Sequence, residues 1–386
     1  VRMPALRLRL YTFTIAISLA LFSSIDVLYL LSLGMTWLQV GTLTAVFNVA
    51  VLIAELPSSI VADVVSAKVA LVSGLAIRCV GLFLFATANE FWAAAAAEAL
   101  AGIGSALVSG SFDKVLIADL EARDEGTISG AYSMISRLST GGGAIGVIVG
   151  VGLFQWQERA CWIAAGCGVF VCTLLATSMR APQPAGDVET TVRDVLANTV
   201  STLKLPTLWV SIVAGSSGIA PYLLWQRLVS ADGLGAVMVI GVMIAGAGWC
   251  GARLASTGVG RSVPLEAVIL LNAFIVAILG WISPIAGMGS LFLVHVALQT
   301  LTGIRIYGMF QSSIPDSYRA SATSLSSLGD SALAALGSYV TGAVMAAHGS
   351  RWAMLVSVVL YALLISMLLA RRSFGGPVSS GVGEVG

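Results

Sequence analysis

The stretch LYTFTIAISLALFSSIDVLYLLSL, residues 10–33, holds one ionisable side chain, Asp26, in an otherwise apolar or hydroxylic run. A helix of that length reaches about 36 Å, enough to cross the roughly 30 Å of hydrocarbon in a bilayer. The strands of a membrane barrel would alternate apolar and polar residues over about 10 positions, and this run does not. Eleven more segments of the same character follow, at 38–62, 69–88, 91–115, 129–154, 160–179, 207–228, 234–255, 264–283, 287–310, 321–346 and 350–370. Across the 386 residues 58% are hydrophobic and only 10% are charged, and the mean hydropathy is +0.95. A water-soluble fold cannot bury so much apolar surface, so lipid is the solvent for much of it. In lipid every backbone N–H and C=O needs a partner within the chain, which a helix supplies by itself. The expected fold class is therefore all-α, a polytopic membrane protein of twelve transmembrane helices.

The net charge of +1 carries no message about acidic partners, and nucleic acid is not expected as one. The placement of the charges is more informative. With both ends on one side, fourteen Lys and Arg residues fall in loops on that side, and only Arg159, Arg227 and Arg351 fall opposite. Basic loops stay cytoplasmic, so the expected location is the cell (inner, cytoplasmic) membrane, multi-pass, with both termini cytoplasmic. The first apolar run has no small-residue cleavage site after it and reads as the first span. The five cysteines include no CxxC pair and the two histidines, His295 and His348, stand far apart, so neither a metal, a disulfide framework nor any other cofactor is expected.

The longest polar interruption, 181–205, opens with APQPAG, which cannot continue a helix. Val188, Val192, Val195 and Thr199 then recur at helical spacing, consistent with an amphipathic helix lying on the membrane and capped by Asp187. This divides the chain into an N-terminal six-helix bundle (1–180), a cytoplasmic linker (181–205), a C-terminal six-helix bundle (206–372) and a disordered tail (373–386). Equal halves suggest two pseudo-symmetric bundles, an arrangement common among secondary transporters.

Several short motifs recur in order along the chain. Between spans two and three stands ELPSSIVADVVSAK, from Glu55 through Asp63 to Lys68. Span four holds EALAGIGSA from Glu98, with Gly102 and Gly104, and then SGSFDKVLIAD from Ser109, with Asp113 and Asp119. Span five carries Gly142, Gly146 and Gly150 four residues apart. PDSYRASATS, with Arg319, precedes span eleven, and Trp225-Gln226 ends span seven. Together these resemble the major facilitator superfamily, and within it the efflux-type members with an E-(I/L)-P-(T/S)-G element. The sequence departs from the family's loop signature at Ser59 and Ser66, where glycines are usual, and at Val64 and Ala67, where basic residues are usual. Glu98 replaces an arginine, and Val147 and Val151 replace a proline and a glycine. The resemblance implies one substrate site worked by alternating access, a small-molecule substrate, exchange with protons, and a monomer in the lipid bilayer. It also implies a cytoplasmic gate that includes Asp63.

Ionisable groups inside a bilayer cost several kcal/mol unless paired or hydrated, so each is a functional candidate. They are Asp26, Arg78, Glu98, Asp113, Arg137, Arg305 and Asp330. A carboxyl in an apolar cavity takes up its proton more readily than one in water, which suits a proton carrier. Asp26 and Glu98 read as proton or cationic-substrate carriers, or else as ion-pair partners of Arg78 or Arg137. Arg137 reads as a proton-relay or anion-binding group. Asp330 lies on a stripe of small residues, Ser326, Ala334, Ser338 and Gly342, and reads as a buried partner, with Arg305 opposite. Gln226 joins this set through its motif. The gate candidates are Glu55, Asp63, Lys68, Asp113, Asp119 and Arg319, and Gly142, Gly146 and Gly150 read as a close-packing ridge.

No HExxH, GxSxG or Walker motif is present, and Ser327 spoils the membrane-protease likeness of Leu328-Gly329-Asp330. An enzyme is not expected, nor is a channel, since no filter repeat is visible. The function expected is proton-coupled export of an amphipathic drug or secondary metabolite. A proton-coupled uptake symporter for a small nutrient is the alternative.

Overall fold

The computed structural model describes residues 6–121, 128–180, 202–281, 288–314 and 319–374. Most of the expected linker helix and the tail beyond 374 lie outside the described residues. All regular structure within them is helical. Ten helical stretches are long and apolar enough to cross a membrane. A further apolar helix of 17 residues and a serine-rich one of 30 bring the spans to twelve.

In the first half the helices are α1 (Leu6–Ser23), α2 (Asp26–Ser32), α3 (Trp37–Ile60), α4 (Ala67–Thr87), α5 (Phe91–Glu121), α6 (Ile128–Trp156) and α7 (Ala160–Thr177). In the second they are α8 (Pro206–Ser216), α9 (Ile219–Val229), α10 (Leu234–Ser256), α11 (Gly258–Ser262), α12 (Leu265–Trp281), α13 (Met288–Ser312), α14 (Arg319–His348) and α15 (Ser350–Phe374). Helix α3 starts on a capping box: Gln39 N donates to Thr36 Oγ1 at 3.3 Å and Thr36 N donates to Gln39 Oε1 at 2.9 Å. That satisfies amide hydrogens left free by the first turn. Each half turns from its first to its second span through a glycine at positive φ, Gly34 at 81° and Gly233 at 92°, a conformation costly for any side chain.

The halves repeat one packing scheme. In the first, α1 packs on α6 and α7, α3 on α5, and α4 on α5 and α7. In the second, α8 packs on α14 and α15, α10 on α13, and α12 on α13 and α15. Each of these pairs in one half has its counterpart in the other, the relation of two pseudo-symmetric six-helix bundles. Between halves, α3 runs against α14, α6 against α10, and α2 against α9. The α3/α14 seam is the closest: a Cβ on Gly41 would strike Ser338 O and the Gly342 backbone.

Three segments differ from the sequence expectation. The first span is broken at Ser24–Ile25 and the seventh at Ser217–Gly218. Pro221 explains the second break. It has no N–H to give and fits only a first helical turn, so a new helix begins just ahead of it. At the first break no proline acts, and the freed backbone groups are met by a side chain of the other half, described below. The third difference is the turn expected between spans two and three. There the chain stays helical, passing from α3 through a π-helical stretch, Val61–Ser66, into α4. Ser66, in extended conformation, caps α4 by accepting from Val69 N at 3.4 Å.

Candidate functional site at the two broken helices

Asp26 opens α2 at the break in the first span. Its Oδ1 accepts from the following amide, Val27 N, at 2.9 Å and from the side-chain amide of Gln226 on α9. Gln226 Nε2 also donates to Ser23 O at 3.1 Å, and Gln226 Oε1 accepts from Val27 N at 3.0 Å. One buried glutamine of the second half thus satisfies the carbonyl on one side of the break and the amide on the other. A buried backbone group without a partner is costly, so this latch holds an otherwise unfavourable kink.

Two cavities meet at Asp26. The larger, about 340 Å³, lies between the halves, with Ser24, Asp26 and Thr44 on one wall and Tyr222, Gln226 and Ile244 on the other. The smaller, about 220 Å³, lies within the first half and is reached from Asp26 and Thr44. Its charged walls are Arg78 on α4 and Glu98 on α5, and its aromatic walls include Phe22, Phe85 and Trp162. Trp162 stacks on Phe22 with centroids 4.6 Å apart and leans on Phe85 at 4.2 Å. The glycines of α4 and α5 allow the close approach that builds this pocket: a Cβ on Gly104 would meet the Gly74 carbonyl and the Arg78 backbone. Asp26 and Glu98 therefore share a site, and Arg78 belongs to it.

The break in the seventh span is supported by uncharged polar side chains that a search for charges overlooks. Gln299 on α13 donates from Nε2 to Ala214 O at 2.9 Å and to Ser217 Oγ at 3.1 Å. Its Oε1 accepts from Tyr361 OH at 2.7 Å and from Asn272 Nδ2 at 3.3 Å. Asn272 Nδ2 also reaches Tyr361 OH at 3.1 Å, and Asn272 Oδ1 lies 2.9 Å from His295 Nδ1. Beyond the break, Ala220 N donates to Ser357 Oγ at 3.1 Å. Asn272, His295 and Tyr361 are fully buried. Isolated Asn, His and Gln in apolar helices were the available signal, since such groups are buried only with partners. His295 also packs against Tyr222, which lines the larger cavity.

Other sequence candidates fall elsewhere. Arg137 is exposed and directs Nε to Ser133 O of its own helix at 3.3 Å, away from both cavities. The expected Arg305–Asp330 pair is absent: Arg305 Nη1 donates to Gly260 O at 3.1 Å and Val263 O at 2.8 Å, tying α13 to the α11 turn. The Asp330 carboxyl lies against Gly215, and a Cβ there would collide with it. Asp330 is near enough to Glu55 across the α3/α14 seam for their charges to interact, and among the described residues neither buried Asp330 Oδ1 nor buried Glu55 Oε2 has a hydrogen-bond partner.

Asp119 accepts from Arg7 Nη2 at 2.7 Å and Arg180 N at 2.8 Å, and Asp113 accepts from Tyr132 OH at 2.7 Å. These contacts join helices of one bundle and do not bridge the halves. Lys68 is half-buried in the first turn of α4. The side chains of Asp63 and Arg319 lie outside the described residues. Gly142, Gly146 and Gly150 lie against Phe13, Ile17 and Leu21 of α1, again within the first bundle.

Residues 10–316 match the sequence model of the Major Facilitator Superfamily. A stretch of 135 residues is 30% identical to the multidrug resistance protein MdtH of Yersinia enterocolitica, covering 33% of each chain. The match thus spans about a third of that relative's length. Among solved structures, the nucleoside transporter NupG superposes with a TM-score of 0.76 at 13% identity, over 95% of this chain and 98% of that one. A bacterial homolog of the human lysosomal transporter Spinster, inward-facing and occupied, gives 0.74 at 15% identity over 96% of both chains. At such identities the likeness is one of fold.

Proposed function

The chain belongs to the major facilitator superfamily, and on that premise we propose that it exports a small amphipathic drug or secondary metabolite in exchange for protons, by alternating access. The observation that carries this reading is the position of Asp26. It lines both the cavity between the halves and the cavity holding Glu98, and it is hydrogen-bonded to Gln226 across the interface. A carboxyl so placed links proton occupancy to the contact that holds the halves together. Protonation removes the charge that the Gln226 amide solvates, and substrate and proton then compete for Asp26 and Glu98. Aromatic walls suit an amphipathic substrate. The partial likeness to a multidrug resistance protein supports the outward direction. The protein sits in the cell membrane with both termini in the cytoplasm, as the basic loops favour, and works as a monomer, as the family resemblance implies.

The test is proton flux in inside-out vesicles holding an acid-inside gradient, challenged with lipophilic cationic and neutral compounds. Export predicts substrate-triggered loss of the gradient, abolished in the Asp26→Asn/Glu98→Gln double variant. Full proton-coupled activity in that variant removes both carboxyls from the mechanism. Co-movement of protons with a sugar, peptide or organic acid, with no response to the panel, establishes the uptake symporter instead.

A further inference from the structure

Arg78 and Glu98 line the 220 Å³ cavity from neighbouring helices, yet neither makes a hydrogen bond or an ion pair with any described residue. Arg78 lies near the middle of α4 and Glu98 two turns into α5. A guanidinium has five N–H donors in a planar fork, and a carboxylate has two acceptor oxygens. Charged groups in a low-dielectric interior are kept by partners, and partner loss is expensive. Here the two opposite charges act on each other through space but do not meet, although their helices approach closely at Gly74, Gly81 and Gly104. Phe22, Phe85 and Trp162 stand beside them.

We propose that this cavity binds a small aromatic ampholyte, a molecule carrying an anionic and a cationic group a few ångströms apart next to one ring. The anionic group meets the Arg78 fork and the cationic group meets Glu98, each through charge-assisted hydrogen bonds. The ring lies against Trp162 and its neighbours. A purely cationic ligand gains Glu98 but faces Arg78, and a purely anionic one has the reverse problem. Asp26, the third charged group of the cavity, is already met by Val27 N and the Gln226 amide, so of the two groups without a hydrogen bond an ampholyte alone satisfies both. At about 220 Å³ the cavity is smaller than the ~300–1,000 Å³ of drug-sized sites, which limits the ligand to one ring and a short chain. This deepens the transporter reading of the same site and rests on it for the movement of the bound molecule across the membrane.

Three compounds built on the same phenylethyl core isolate the charges: L-phenylalanine (both), phenethylamine (cation only) and 3-phenylpropanoate (anion only). Binding of each, tritiated, is measured directly on the purified protein in nanodiscs. The wild type is expected to bind L-phenylalanine about tenfold more tightly than either single-charge analogue. Arg78→Gln is expected to erase the preference over phenethylamine, with Arg78→Lys largely restoring it. Glu98→Gln is expected to erase the preference over 3-phenylpropanoate. Phenethylamine binding as well as L-phenylalanine overturns the proposal, and so does absence of binding by all three. Either of those results alongside proton flux with the cationic panel leaves the transporter reading intact. L-phenylalanine binding without any coupled flux does the opposite.

Discussion

A single amide, that of Gln226, joins the halves where the first span breaks, and its three partners all belong to the opposite half. Gln226→Leu keeps the bulk and removes every bond, leaving Ser23 O with no side-chain donor. Loss of one such buried partner costs about 1–3 kcal/mol, so the purified variant should melt several degrees lower. It should also expose a cysteine placed at Ser24 to a thiol reagent more quickly. Gln226→Glu makes a sharper test, because it sets a second carboxyl against Asp26. Two ionised carboxyls repel, and protonation of either relieves the repulsion. The Glu variant should therefore gain stability relative to wild type as pH falls and lose it as pH rises. Equal melting of all three proteins across that pH range would show that the latch holds nothing. The sequence drew attention to Gln226 through a motif and to Asp26 through its charge. That they are partners, 200 positions apart, depends on the docking of the halves and has no local signature.

At the scale of elements, the glycines divide by what they touch. The span-five ridge of Gly142, Gly146 and Gly150 was legible from spacing alone, since residues four apart on a helix share a face. The spacing does not say which helix lies opposite. The partner is α1, inside one bundle, so a slide along this ridge would not by itself separate the halves. The glycines that do meet between halves are Gly41 and Gly342; Gly342 ends the small-residue stripe that spacing discloses on α14, whereas Gly41 stands without a repeat to reveal it. A side chain at Gly41 must push α14 away at the point of closest contact, and overpacking of this kind costs about 1–3 kcal/mol. Gly41→Val should lower both thermal stability and turnover. Gly143→Ala, which meets nothing within 4 Å, should leave both near wild type. If the two variants behave alike in a transport assay, the α3/α14 seam is not a working surface. The breaks in the first and seventh spans show the same limit of local reading. Ser-Ser-Gly before Pro221 predicts a weak helix, but hydropathy averages over it.

For the molecule as a whole, hydropathy disclosed the spans because lipid acts on each segment separately. A run of apolar residues becomes a span wherever it sits, and basic loops orient it. The site is different in kind, since it arises where segments from both halves converge. The repeated packing scheme gives that convergence its logic: α3/α14 and α6/α10 occupy equivalent places on either side of α2/α9. Alternating access requires at least one of these contacts to part during each cycle. At the α6/α10 contact, Val147 lies against Gly241, close enough that a Cβ on the glycine would touch its side chain. Cysteines at Val147 and Gly241, in a background freed of the five native ones, should cross-link. Oxidation should then stop transport in vesicles, and reduction should restore it, while ligand binding in nanodiscs persists in both forms. Undiminished transport by fully cross-linked protein would mean that α6 and α10 stay together throughout the cycle. Separation would then have to occur along α3 and α14, where Glu55 and Asp330 are near enough for their charges to interact.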